Sequence, residues 1–177
     1  MEGILVWWIG ERHPGERALD HVRHHLERAF DERVALWPGD GRPDDAYDPR
    51  RKQWSSSRIL AWLARAGLEG RVLGVTDVDL FIPILTFVFG EAQLGGQAAV
   101  VSMARLQEPG FRDDRIVLER LAKESVHEVG HVFGLLHCDT PGCVMGRSAS
   151  VRDVDKKRGE LCRSCRGLVA RGEREAR

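Results

Sequence analysis

One tyrosine, four cysteines and no surplus of charge set the first limits on this 177-residue sequence. Its 27 basic residues are matched by 27 acidic ones. That balance excludes the broad positive footprint that nucleic-acid binding requires. Local runs such as Arg50-Arg51-Lys52 and Lys156-Lys157-Arg158 read as solvated helix faces or turns. No apolar stretch reaches the roughly 20 residues of a bilayer-spanning helix, so no membrane partner is expected. The first ten residues are apolar but carry neither a basic leader nor a small-residue cleavage site. They read as a buried strand, and the expected location is cytoplasmic. In a reducing compartment, disulfides are not the first reading of four cysteines.

What is present suits one globular domain over residues 1–177, expected to be a monomer: 42% of the residues are hydrophobic and 31% charged. Residues 3–9 predict a strand and residues 15–30 a helix, with Ala18, Leu19, Val22, Leu26 and Ala29 at helical spacing. Val34 to Trp37 predicts a second strand, and residues 37–49, rich in Pro, Gly and Asp, a loop. A helix is expected over residues 51–66, ended by Gly67, and a third strand over residues 71–76. Residues 84–89 and 97–103 read as two further strands separated by a hairpin-like reversal at residues 90–96. A long helix then opens at Asp113 or Asp114. Alternation of strand and helix predicts an α/β (α+β) sandwich, its twisted sheet mixed but mostly parallel, with one antiparallel edge strand.

The chemistry concentrates late in that helix, at His127-Glu128-Val129-Gly130-His131. Positions four apart share one helical face, so both imidazoles can reach a single metal ion. Glu128 beside them need not be a ligand. As general base it can take a proton from a zinc-bound water and return it to the leaving amine. His137 follows six residues later; on a continuous helix it would lie about 240° round the axis and roughly 9 Å further along, out of reach. The helix must therefore stop, and Gly134 can take the left-handed conformation that turns the chain back. His127, His131 and His137 are then the expected ligands of a catalytic zinc. A bare HExxH often lies on an ordinary helix, but Gly134 and His137 add a geometry that such a helix does not need.

The pattern HExxHxxGxxH resembles that of the metzincin metallopeptidases, and the residues after it are similar to one branch, the archaemetzincins. Their pattern adds Cys138, Cys143, Met145 and the distal pair Cys162-Arg163-Ser164-Cys165. The stretches from Gly74 to Phe81 and from Phe87 to Ala92 also look like this family, so the likeness covers roughly residues 70–165. It implies a peptidase fold in which Met145 belongs to a Met-turn flooring the three histidines. Read from physics alone, Met145 is core filler. A tyrosine just after that methionine, as other metzincins sometimes carry, is missing here, since Gly146-Arg147 follows and the sole tyrosine is Tyr47. The domain is expected to divide into residues 1–135, ending in the active-site helix, and residues 136–177, with the Met-turn and the cysteines.

Cys138, Cys143, Cys162 and Cys165 supply the four thiolates of a closed tetrahedral structural zinc site, giving two Zn2+ per chain. Two disulfides, or a redox CxxC, are alternatives. Cys138 also adjoins His137 closely enough to compete for the catalytic position. His21, His24 and His25 read as surface histidines, and Asp77 and Asp79 as caps. By the resemblance, the strand over residues 84–89 is the edge that holds an extended peptide; from the residues alone it is as readily an ordinary edge strand. The expected function is zinc-dependent hydrolysis of a peptide or protein substrate; the alternative is a zinc-stabilised peptide-binding module with little or no hydrolysis.

Overall fold

The computed structural model describes residues 3–39, 41–108 and 113–175. Strand β1 (Ile4–Trp8) leads into helix α1 (Glu16–Phe30), then β2 (Val34–Trp37). A 3-10 turn at Asp44–Ala46 precedes β3 (Tyr47–Asp48) and β4 (Gln53–Ser55), which runs into α2 (Ser56–Ala64). Then come β5 (Arg71–Thr76), β6 (Leu80–Phe81), β7 (Gly90–Ala92), β8 (Ala98–Ser102), α3 (Asp114–Val132), α4 (Val151–Lys156) and α5 (Arg163–Glu175). The main sheet has the order β2-β1-β5-β8-β7. Its first four strands are parallel and β7 runs antiparallel to β8, as the sequence leads one to expect. A small second sheet joins β3, β4 and β6.

Side chains alternate across each strand, and here the alternation sorts the core into two layers. Ile4, Val6, Leu73, Val75, Ala99 and Val101 face α1 and α3, where Val22, Leu26, Val126 and Val129 meet them. Trp7, Val72, Ala98 and Val100 face the other way, onto Ile59, Leu60 and Leu63 of α2. A strand buried on both sides reads as a continuous apolar run, which is why β8 is Ala-Ala-Val-Val-Ser.

Two elements differ from their sequence expectation. The second helix begins at Ser56, five residues later than expected. Lys52 takes a left-handed backbone (φ 55°), Gln53 to Ser55 pair with β3 and β6, and the Ser55 hydroxyl accepts the Arg58 N–H at the helix start. The strand expected over residues 84–89 does not form; only Val88 bridges to Leu80. Carbonyls there are satisfied by side chains: Arg51 donates to Leu85 O at 2.7 Å and Gln53 to Thr86 O at 2.9 Å. Ile84, left 87% exposed, has no layer to join. The antiparallel edge strand is β7 instead.

Asp113 caps helix α3, its carboxylate accepting the Arg115 N–H at 3.0 Å. Its end decides everything downstream. Gly134 has φ 84°, its N–H donates to His131 O at 2.9 Å, and the Leu135 N–H donates to Gly130 O at 2.9 Å. These two bonds form a Schellman closure, which reverses the chain while satisfying carbonyls that the last turn would leave bare. A Cβ at residue 134 would meet no atom within 4 Å, so glycine is needed for its backbone angle and not for space. Gly134→Ala should therefore cost about 1–2 kcal/mol of stability in denaturant unfolding; an unchanged midpoint would show that the left-handed turn is not required.

Candidate active site and metal centres

His127 and His131 face one point because their other ring nitrogens are tied down. His127 Nδ1 lies 2.9 Å from Val144 O, and His131 Nδ1 lies 2.7 Å from Leu135 O. A carbonyl oxygen only accepts, so each Nδ1 carries the proton and each Nε2 is left with a lone pair. These two Nε2 atoms stand 3.2 Å apart. Facing lone pairs repel, and a cation between them converts the repulsion into attraction. Two nitrogens bound tetrahedrally to one zinc stand about 3.3 Å apart. The reversal at Gly134 brings His137 to the same place: its ring centroid is 5.3 Å from that of His127 and 4.9 Å from that of His131. One ring nitrogen from each of the three lies within 4.8 Å of the other two. Burial, with the Lys157 ammonium second, holds His127 well below the usual histidine range, and burial lowers His131 and His137 as well. All three are thus disposed to the neutral form that a metal requires.

Glu128 is only 6% exposed and lies over β7. A Cβ on Gly90 would come within 2.6 Å of Glu128 Cγ and of Val100 O, so only glycine lets this carboxyl pack down on the strand. Burial, with Glu124 next, pushes Glu128 well above the usual carboxyl range. A divalent cation at the histidines would favour its ionised form.

One turn earlier, Glu124 accepts from Lys157 at 2.8 Å and from Ser148 at 3.2 Å. Glu124 and Lys157 are both almost fully buried. Lys157 Nζ also lies 3.4 Å from His127 Nδ1, where both atoms are donors, so it is a charge beside the ring and not its partner. The sequence reading missed this pair and Gly90. Lys157 sits in a basic run that reads as solvent-facing, and nothing local marks Glu124 as its partner 33 residues away.

Met145 is completely buried and its sulfur presses on the helix backbone, 2.4 Å from where a Cβ on Gly130 would be. Gly130 lies in the turn between His127 and His131, so the thioether packs on the same turn of α3 that carries them. The Cys138 N–H donates to Met145 O at 3.0 Å, closing residues 138–145 into a loop. Tyr47, by contrast, packs on Trp54.

The four cysteines converge where that loop meets the start of α5. Cys138 Sγ is 3.9 Å from Cys162 Sγ, and Cys143 Sγ is 3.8 Å from Cys165 Sγ. All four sulfurs lie within 4.8 Å of one another. A disulfide needs about 2.05 Å, whereas two thiolates on one tetrahedral zinc stand about 3.8 Å apart. The thiols are free and spaced for zinc. The Cys165 N–H holds the Cys162 thiol down to about 6, while burial pushes Cys143 and Cys165 up.

An open cleft of about 730 Å3 runs between β7 and the histidines. Its walls include Glu128, Gly90, Leu94, Leu136 and Arg147. Asp77 accepts the Glu11 and Arg12 N–H groups, a cap as expected, whereas Asp79 does not cap but pairs with the Arg105 guanidinium.

Comparison with known proteins agrees with this geometry. The profile of Peptidase family M54 matches residues 67–171. Archaemetzincin from Methanopyrus kandleri is 42% identical over 153 residues, spanning 80% of this chain and 85% of that protein. Its crystal structure superimposes with a TM-score of 0.87 at 36% identity, covering 98% of this chain and 96% of the other. A zinc-dependent peptidase from Methanocorpusculum labreanum gives a TM-score of 0.84 at 30% identity, over 94% of this chain and 100% of that one. A profile that matches more than half the chain, and a relative of this identity and extent, establish that the chain belongs to Peptidase family M54, the archaemetzincins.

Proposed function

We propose that this chain hydrolyses peptide bonds with a zinc ion held by His127, His131 and His137 and with Glu128 as general base. The observation that carries this is the pair of bare Nε2 lone pairs 3.2 Å apart beside a buried carboxyl. When bound, zinc supplies Lewis acidity, polarising the scissile carbonyl and lowering the pKa of water to about 7. Glu128 then takes the proton from the attacking water and delivers it to the departing amine. Burial of Glu128 at the floor of the cleft strengthens both interactions.

A peptide fits the cleft by two features. β7 is paired on one side only among the described residues, so its other edge is open to an extended chain. Leu94 and Leu136, 58% and 67% exposed, offer apolar contact to substrate side chains. Met145 serves as the Met-turn floor.

A second, structural zinc is held by Cys138, Cys143, Cys162 and Cys165, clamping the segment that delivers His137. We read residues 1–177 as one catalytic unit. Its first part (1–135) and second part (136–177) share one apolar cluster, in which Val126 and Val129 pack with Val144, Met145 and Leu161. Among the described residues no helix is long and apolar enough to cross a membrane.

Glu128→Gln should retain both zincs and lose peptide turnover by about 10²-fold or more; cleavage at the unaltered rate removes Glu128 from the mechanism. Replacing Cys162 and Cys165 together with serine should lower elemental zinc from two per chain to one, and a variant that still carries two refutes the sulfur site.

A further inference from the structure

Outside the cleft, α1 presents His21 and His25 one turn apart, and α3 packs against it. The His25 Nδ1 is 2.9 Å from His21 O, so it carries the proton and leaves the Nε2 lone pair free. That is the tautomer found at His127 and His131. Glu119 projects from α3 into the gap between the two rings. Its Oε1 lies 3.0 Å from His21 Nε2 and its Oε2 3.9 Å from His25 Nε2. His21 Nε2 is buried and faces the Glu119 carboxylate. The two imidazole centroids are 4.4 Å apart, closer than the 4.7 Å between His127 and His131. Burial, with His25 second, lowers the pKa of His21 against the opposing pull of Glu119, so the ring tends to the neutral, ligating form.

We propose that His21, His25 and Glu119 form a third metal site, which takes a first-row divalent ion such as Zn2+ and fastens α1 to α3. Two imidazoles and one carboxylate suit such ions and give the site one negative charge against the ion's two positive ones. Helical spacing supplies the histidine pair, and the packing of α1 on α3 supplies the third donor. Donor atoms within 4.8 Å of one another need only small side-chain rotations to close on one ion. Glu119 is half exposed, so water can complete the coordination. The site lies on α3 eight residues before His127, about 12 Å along the helix. Its occupancy therefore stiffens the helix that carries the catalytic histidines without touching the cleft.

The test starts from untagged protein loaded with two zincs, titrated with ZnCl2 by calorimetry alongside elemental analysis. Wild type should take up one further equivalent and raise its thermal midpoint. His25→Ala and Glu119→Gln should each lose that equivalent and the rise in midpoint, and keep two zincs and wild-type peptide turnover. If wild type stops at two, the contact is only an ion pair and the proposal fails. It fails equally if the third equivalent persists unchanged in both variants, since the ion then binds elsewhere.

Discussion

Two backbone carbonyls, Val144 O and Leu135 O, set the chemistry of this molecule by accepting the Nδ1–H hydrogen bonds of His127 and His131. Each comes from chain that follows the helix, so neither ring is oriented until that chain has folded back. The Schellman closure at Gly134 delivers Leu135, and the loop closed by the Cys138-to-Met145 bond delivers Val144. Helix, reversal and loop are thus one cooperative construction. Second partners of this kind fix the tautomer and aim of metal-binding histidines, and here they are backbone atoms that side-chain substitution cannot remove.

Beneath that construction runs a short row of buried charge. Glu124 and Lys157 neutralise each other, and the ammonium stands close to His127 and counters the carboxyl of Glu128. A buried ion pair is weak evidence for stability, since desolvation offsets much of the attraction. Its value here is positional: Lys157 joins the turn after α4 to the middle of α3, as the Arg120 to Asp155 pair does one turn earlier on that helix. Gly90 does the complementary work on the other side of Glu128, where β7 must pass within reach of the carboxyl.

Much of this was legible in the sequence because it is local. Periodicity located α1, α3, β1, β2, β5 and β8, and the spacing of Gly134 and His137 required the reversal. The three histidines and four cysteines come together as their spacing implied. What local patterns could not carry was partnership across the chain. Residues 84–89 have the β-branched and aromatic composition of a strand, yet Arg51 and Gln53 hold their carbonyls from a distant turn. The start of α2 was misplaced because β4 pairs with β6, and that pairing outranks helix propensity in residues 51–55. Lys157 was lost in a basic run, and Glu119 could not be linked to His21 and His25 before α1 was laid against α3.

The three histidines are not sheltered equally. His127 is buried, His131 partly so, and His137 lies open to solvent with no hydrogen bond fixing its ring among the described residues. In the proposed centre, two donors form a fixed seat and the third is a gate. An ion entering or leaving such a centre would pass His137, the one donor of the three that is exposed and free to turn.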